Sequence, residues 1–68
     1  MKIDELRSSL TYLIDKYVPE NQRAPFYDDI AKNDVPVKGI LADFNQVKTR
    51  TVDHVDGDLI TDIYFYFC

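Results

Sequence analysis

The sequence is short of the groups that chemistry and covalent stapling need. It has one cysteine, Cys68, and one histidine, His54. A single cysteine excludes a disulfide within the chain, and one Cys with one His excludes a zinc cluster of the Cys/His type. With only Gly39 and Gly57, no glycine-rich loop is available to cradle a phosphate, and no cofactor signature exists. Tryptophan is absent and proline is limited to three residues, so little of the chain is forced out of regular structure. No apolar run approaches the ~18 residues of a membrane span. The charged start Met1-Lys2-Ile3-Asp4-Glu5 is followed by no apolar signal-type region, so no targeting segment is expected. A lone thiol suits a reducing compartment, which makes the cytoplasm the expected location.

What is present points to a small folded domain. Sixty-eight residues allow one domain with one thin core. Hydrophobic residues make up 46%, too many for a disordered chain. The net charge of −4 argues against direct binding to nucleic acid or to an anionic membrane, since both require an excess of Lys and Arg.

Residues 2–18 read as an amphipathic helix. Ile3, Leu6, Leu10, Leu13, Ile14 and Tyr17 form one stripe at helical spacing. Asp4 and Glu5 in the first turn and Lys16 in the last complement the helix dipole, and Pro19 ends the segment. Pro25 suits the first turn of a second helix, expected over 25–32 with Phe26 and Ile30 on its apolar face. Val37, Ile40, Leu41, Phe44 and Val47 match the helical template over 36–46, with Asp34 as the expected N-cap. A strand over 37–44 is the competing reading.

Residues 47–67 read as an antiparallel β-hairpin. Two runs rich in Val, Thr, Ile, Tyr and Phe flank Asp56-Gly57-Asp58. A three-residue loop at Val55-Asp56-Gly57, with Gly57 left-handed in a G1 bulge, pairs His54 with Asp58, Val52 with Ile60, Arg50 with Asp62 and Lys48 with Tyr64. The opposite face then carries Leu59, Ile63, Phe65 and Phe67 toward the helices. The expected fold is therefore α+β: two or three N-terminal helices packed on a C-terminal hairpin, the alternative being two helices and a three-stranded meander. The expected core joins Leu6, Leu10, Leu13, Ile14, Phe26, Ile30, Ile40, Leu41, Phe44, Ile63, Phe65 and Phe67.

No catalytic group is expected. His54 and Cys68 fall at opposite ends of the expected hairpin, beyond reach of each other, and Ser8 and Ser9 are ordinary helix positions. Asp53, Asp56, Asp58 and Asp62 do not follow calcium-loop spacing and read as turn chemistry, so neither metal nor cofactor is expected. The outer face of the hairpin gathers Lys48, Arg50, His54, Asp62, Tyr64 and Tyr66. Tyr and Arg are enriched at binding hot spots, which makes this face the expected protein-binding site. An exposed strand edge also offers itself to a second copy or to a partner's sheet.

The functional expectation is a non-enzymatic protein-binding module, an inhibitor or modulator of a larger protein, in the manner of small acidic proteins encoded by phages and other mobile elements. An acidic DNA mimic of the anti-restriction or anti-CRISPR kind is the alternative reading, and a small structural or assembly subunit is a third.

Overall fold

The computed structural model describes residues 1–67. Those residues form four α-helices and no strand: α1 (Ile3–Tyr17), α2 (Ala24–Ile30), α3 (Val37–Val47) and α4 (His54–Phe67), with a 3-10 turn at Glu20–Gln22 between α1 and α2. α1 packs on α2 and α4, and α3 packs on α4.

The first three helices follow the apolar spacing. α1 buries Leu6, Leu10, Leu13, Ile14 and Tyr17, with Asp4 and Glu5 in its first turn and Lys16 in its last. α2 starts with proline in its first turn and buries Phe26 and Ile30. Arg7 reaches from α1 to the carbonyl-rich end of α2. Its Nε donates to the Ile30 carbonyl at 3.1 Å and its Nη2 to the Lys32 carbonyl at 2.9 Å, satisfying acceptors that a helix C-terminus leaves open. α3 buries Val37, Ile40, Leu41 and Phe44. Its N-cap is Pro36 rather than Asp34, and no side chain caps it. Tyr17 and Phe44 meet edge to face, with ring centroids 5.8 Å apart.

The C-terminal third corrects the expected α+β fold. In place of a hairpin over 47–67 there is an extended loop from Lys48 to Asp53 and then a helix. With no strand in 1–67, neither the three-stranded meander nor a sheet edge for dimerisation or strand addition exists among the described residues. The turn expected at Asp56-Gly57 is the first turn of α4. The Gly57 N–H bonds to the Asp53 carbonyl at 2.8 Å, the first rung of the helix. Neither glycine has positive φ, so the left-handed conformation a G1 bulge requires is not taken.

The physical reason lies in which face is buried. On a helix, Asp56, Leu59, Ile60, Ile63 and Phe67 fall on one side. Ile63 is fully buried, while Leu59, Ile60 and Phe67 are partly buried against the core. A hairpin would have aligned Ile63 with Phe65. In the structure Phe65 is 81% exposed, which corrects its expected place in the core. The core gains Val18 and Val37 instead, and Tyr17 of the expected α1 stripe is buried with it. A lone two-stranded hairpin is also marginal in water, whereas a helix satisfies its own backbone and needs only one buried stripe. Any role for Cys68 lies outside the described residues.

Candidate functional site

The most elaborate polar arrangement in the molecule sits where α4 begins. Asp53 caps the helix: its Oδ1 accepts the Asp56 N–H at 2.8 Å, the usual bond from an N-cap side chain to the third helical residue. Asp56 at that third position is the one buried charged residue among those described, 2% exposed. A buried carboxylate requires partners, and α1 supplies them. Tyr17 donates its hydroxyl at 2.6 Å, Tyr12 at 2.9 Å, and the Lys16 ammonium lies 2.8 Å away. Lys16 Nζ also reaches Asp53 Oδ2 at 3.2 Å. The loop before α4 closes on the same place. Thr49 donates both its N–H and its hydroxyl to the Tyr17 carbonyl, at 2.8 and 3.0 Å.

These contacts fix the charge states. The Lys16 ammonium, then the Tyr17 hydroxyl, hold the Asp56 carboxyl down at about 2. Asp53 is lowered chiefly by the backbone N–H of Asp56. Lys16 is raised, first by Asp56, and Tyr17 is raised by burial and then by its bond to Asp56. A group poised for proton transfer titrates near the working pH, and none of these four is moved toward neutrality. Among the described residues no buried side-chain polar atom lacks a partner. The cluster is a clamp that holds the start of α4 to α1. Among the described residues no group of three His, Cys, Asp or Glu side chains could hold a metal ion.

The six residues expected on a shared hairpin face are dispersed. Lys48 follows α3, its N–H closing that helix on the Phe44 carbonyl at 2.9 Å. Arg50, in the loop, stacks its guanidinium over the Tyr17 ring at 5.0 Å, against the clamp. His54 opens α4, exposed, with Nε2 3.6 Å from Asp58 Oδ2. Asp62, Tyr64 and Tyr66 lie on exposed parts of the second half of α4. Residues two apart share a face on a strand but diverge by about 200° on a helix, so Tyr64 and Tyr66 flank the outward direction from opposite sides. Phe65 points along it. Tyr64, Phe65 and Tyr66, at 47%, 81% and 68% exposure, make a fan of aromatic rings around the end of α4, with Asp58 and Asp62 as the carboxylates on its exposed side.

The spacing of Asp53 and Asp56 just ahead of an apolar run carried a signal for the clamp, because an acidic residue three positions after a capping residue marks a helix start. Nothing in the spacing of Tyr12 and Lys16 marked them as its partners. The chain matches no known protein family, no curated protein and no solved structure.

Proposed function

We propose that the chain is a non-enzymatic protein-binding module that inhibits or modulates a larger protein, in a cytoplasmic setting, and that the aromatic end of α4 is its contact surface. The observation that carries this reading is Phe65, exposed at 81% between two exposed tyrosines. A chain of 68 residues has few large apolar side chains to spare from its core. Aromatic residues offer rigid contact area with little entropy to lose and are enriched at interface hot spots. A helix presenting such side chains fits the mode in which an amphipathic helix lies in an apolar groove of its partner.

The test is a photo-crosslinking phenylalanine analogue placed at Phe65 and, as a control, at exposed Ser8 on α1. The expected result is a discrete adduct from position 65 and none from Ser8, with the adduct identified by mass spectrometry. Calorimetry against the purified partner should then show Phe65→Ala weakening binding by about tenfold or more, as for a hot spot. Equal crosslinking from both positions, or unchanged affinity of Phe65→Ala and Tyr66→Ala, would refute the assignment of α4 as the contact surface.

A further inference from the structure

A cleft of about 340 Å³ opens between the Glu20–Gln22 turn with α2 on one side and the end of α3 on the other. It lies apart from the aromatic end of α4. Its apolar floor is Phe26, itself buried, with Pro25 and Val47. Its polar groups are Asp29 from α2, Asp43 from α3, and the amides of Asn21, Gln22 and Gln46. No lysine, arginine or histidine lines it.

The lining selects its occupant by chemistry. Carboxylates on both walls, with no cation among the lining residues, repel an anion. Asp29 is already paired with Lys32, its Oδ1 2.8 Å from Nζ. Asp43 makes no salt bridge and no side-chain hydrogen bond with the described residues. An apolar ligand would use the floor alone and gain nothing from the exposed carboxylate and amides at the rim, whose water it would have to displace. A cation on an apolar stem satisfies both parts: methylenes on Phe26 and Pro25, charge at Asp43 and at the amide oxygens. The volume is at the small end of the range for ligand pockets, about 300–1,000 Å³, and suits one long side chain better than a cofactor. A guanidinium suits such a lining better than an ammonium, because its planar fork offers several fixed donors to carboxylate and amide oxygens where an ammonium is a point charge.

We infer that this cleft is a receptor for a single arginine side chain of a basic peptide segment, with Asp43 as its charge partner and Phe26 and Pro25 as the platform for its stem. The site is independent of α4 and needs no part of that surface.

The experiment is a titration of the ¹⁵N-labelled chain with three blocked tripeptides, acetyl-Ala-Arg-Ala-amide and its Lys and Leu counterparts, at low salt. The expected result is saturable shifts of the backbone amides of Asn21, Gln22, Phe26, Asp43 and Gln46 with the Arg peptide. Weaker binding is expected with Lys, and none with Leu. Asp43→Asn should weaken the Arg peptide by about tenfold, the value of one charge-assisted bond, while Phe65→Ala leaves it unchanged. Asp43 is exposed and pairs with none of the described residues, so this variant keeps its fold, which an otherwise unaltered spectrum verifies. Equal response to the Leu peptide, shifts located elsewhere, or full affinity in Asp43→Asn would overturn the assignment. None of these results bears on crosslinking from Phe65, so the two surfaces stand or fall separately.

Discussion

Replacing Ile63 and Phe65 by alanine, each alone, separates a helix from a hairpin in a single pair of measurements. On a strand these residues share a face; on α4 they lie about 200° apart. Ile63 is 0% exposed and Phe65 81%. Ile63→Ala deletes three buried carbons, worth about 0.8 kcal/mol each, and the residual cavity brings the total to about 2–5 kcal/mol. A domain of this length holds only about 3–10 kcal/mol, so the variant should melt about 10–30 °C lower or fail to fold. Phe65→Ala gives up almost no buried area and places a better helix former on an exposed helix, so its effect should stay within about 0.5 kcal/mol and favour the folded state. Thermal and urea melts followed by circular dichroism read both quantities. If Phe65→Ala costs as much as Ile63→Ala, the two side chains share a buried face and the helical account of 54–67 is wrong.

Other expectations follow from the same contacts. The lowered carboxyls of Asp56 and Asp53 contribute stability that is complete above their ordinary value of about 4 and is lost as pH falls through their lower folded values, which for Asp56 is about 2. Melting temperature should therefore drop between those limits, and Asp56→Asn should flatten the drop while lowering the plateau. On the alkaline side Lys16 and Tyr17 are raised, so what they contribute is complete below their ordinary values near 10 and is lost only as pH rises through their higher folded values. A melt that weakens between pH 8 and 9 would contradict this. A Cβ built at Gly39 or Gly57 meets nothing within 4 Å, and neither has positive φ; alanine at each should stabilise by about 0.5–1 kcal/mol, seen as a higher urea midpoint. Arg7→Lys keeps the charge but not the fork that reaches both Ile30 and Lys32 carbonyls, so its melting temperature should fall measurably; an unchanged value would show that those bonds carry no stability.

The first two helices were legible because each combines an apolar stripe with a local boundary mark, Pro19 after α1 and Pro25 inside α2; α3 was favoured by its spacing, with a strand over 37–44 left open and its N-cap placed at Asp34 rather than Pro36. The fourth was not legible, because Leu59 to Phe67 is apolar at so many positions that it matches a period of two as well as 3.6. Its Val, Ile, Tyr and Phe residues favour strands only as far as their neighbours allow. Gly57 supported either a turn or the opening of a helix, and only the partners of Asp56 on α1, some 40 residues earlier in the chain, decide between them. Tyr64 and Tyr66 were read as contact residues from their identity alone, and their grouping with Lys48 and Arg50 depended on a pleat that does not form. Phe65, read as core, became the most exposed large hydrophobic residue of the described chain through the same change of period.

The attachment of α4 has an evolutionary consequence. The helix is held by a polar clamp in its first turn and by Ile63 with its partly buried neighbours, while Tyr64, Phe65 and Tyr66 contribute nothing to the core. Phe65 and Tyr66, the most exposed of the three, can therefore be replaced at little folding cost, and on the proposed reading a lineage following a changing target would be free to vary them. The clamp residues have no such freedom, because losing Lys16 leaves the buried Asp56 charge without its counterion and losing Tyr12 or Tyr17 removes one of its hydrogen bonds. Under the contact surface proposed above, selection on binding and selection on folding would act on different residues of one helix, so rapid change at its end is compatible with a fixed scaffold at its start.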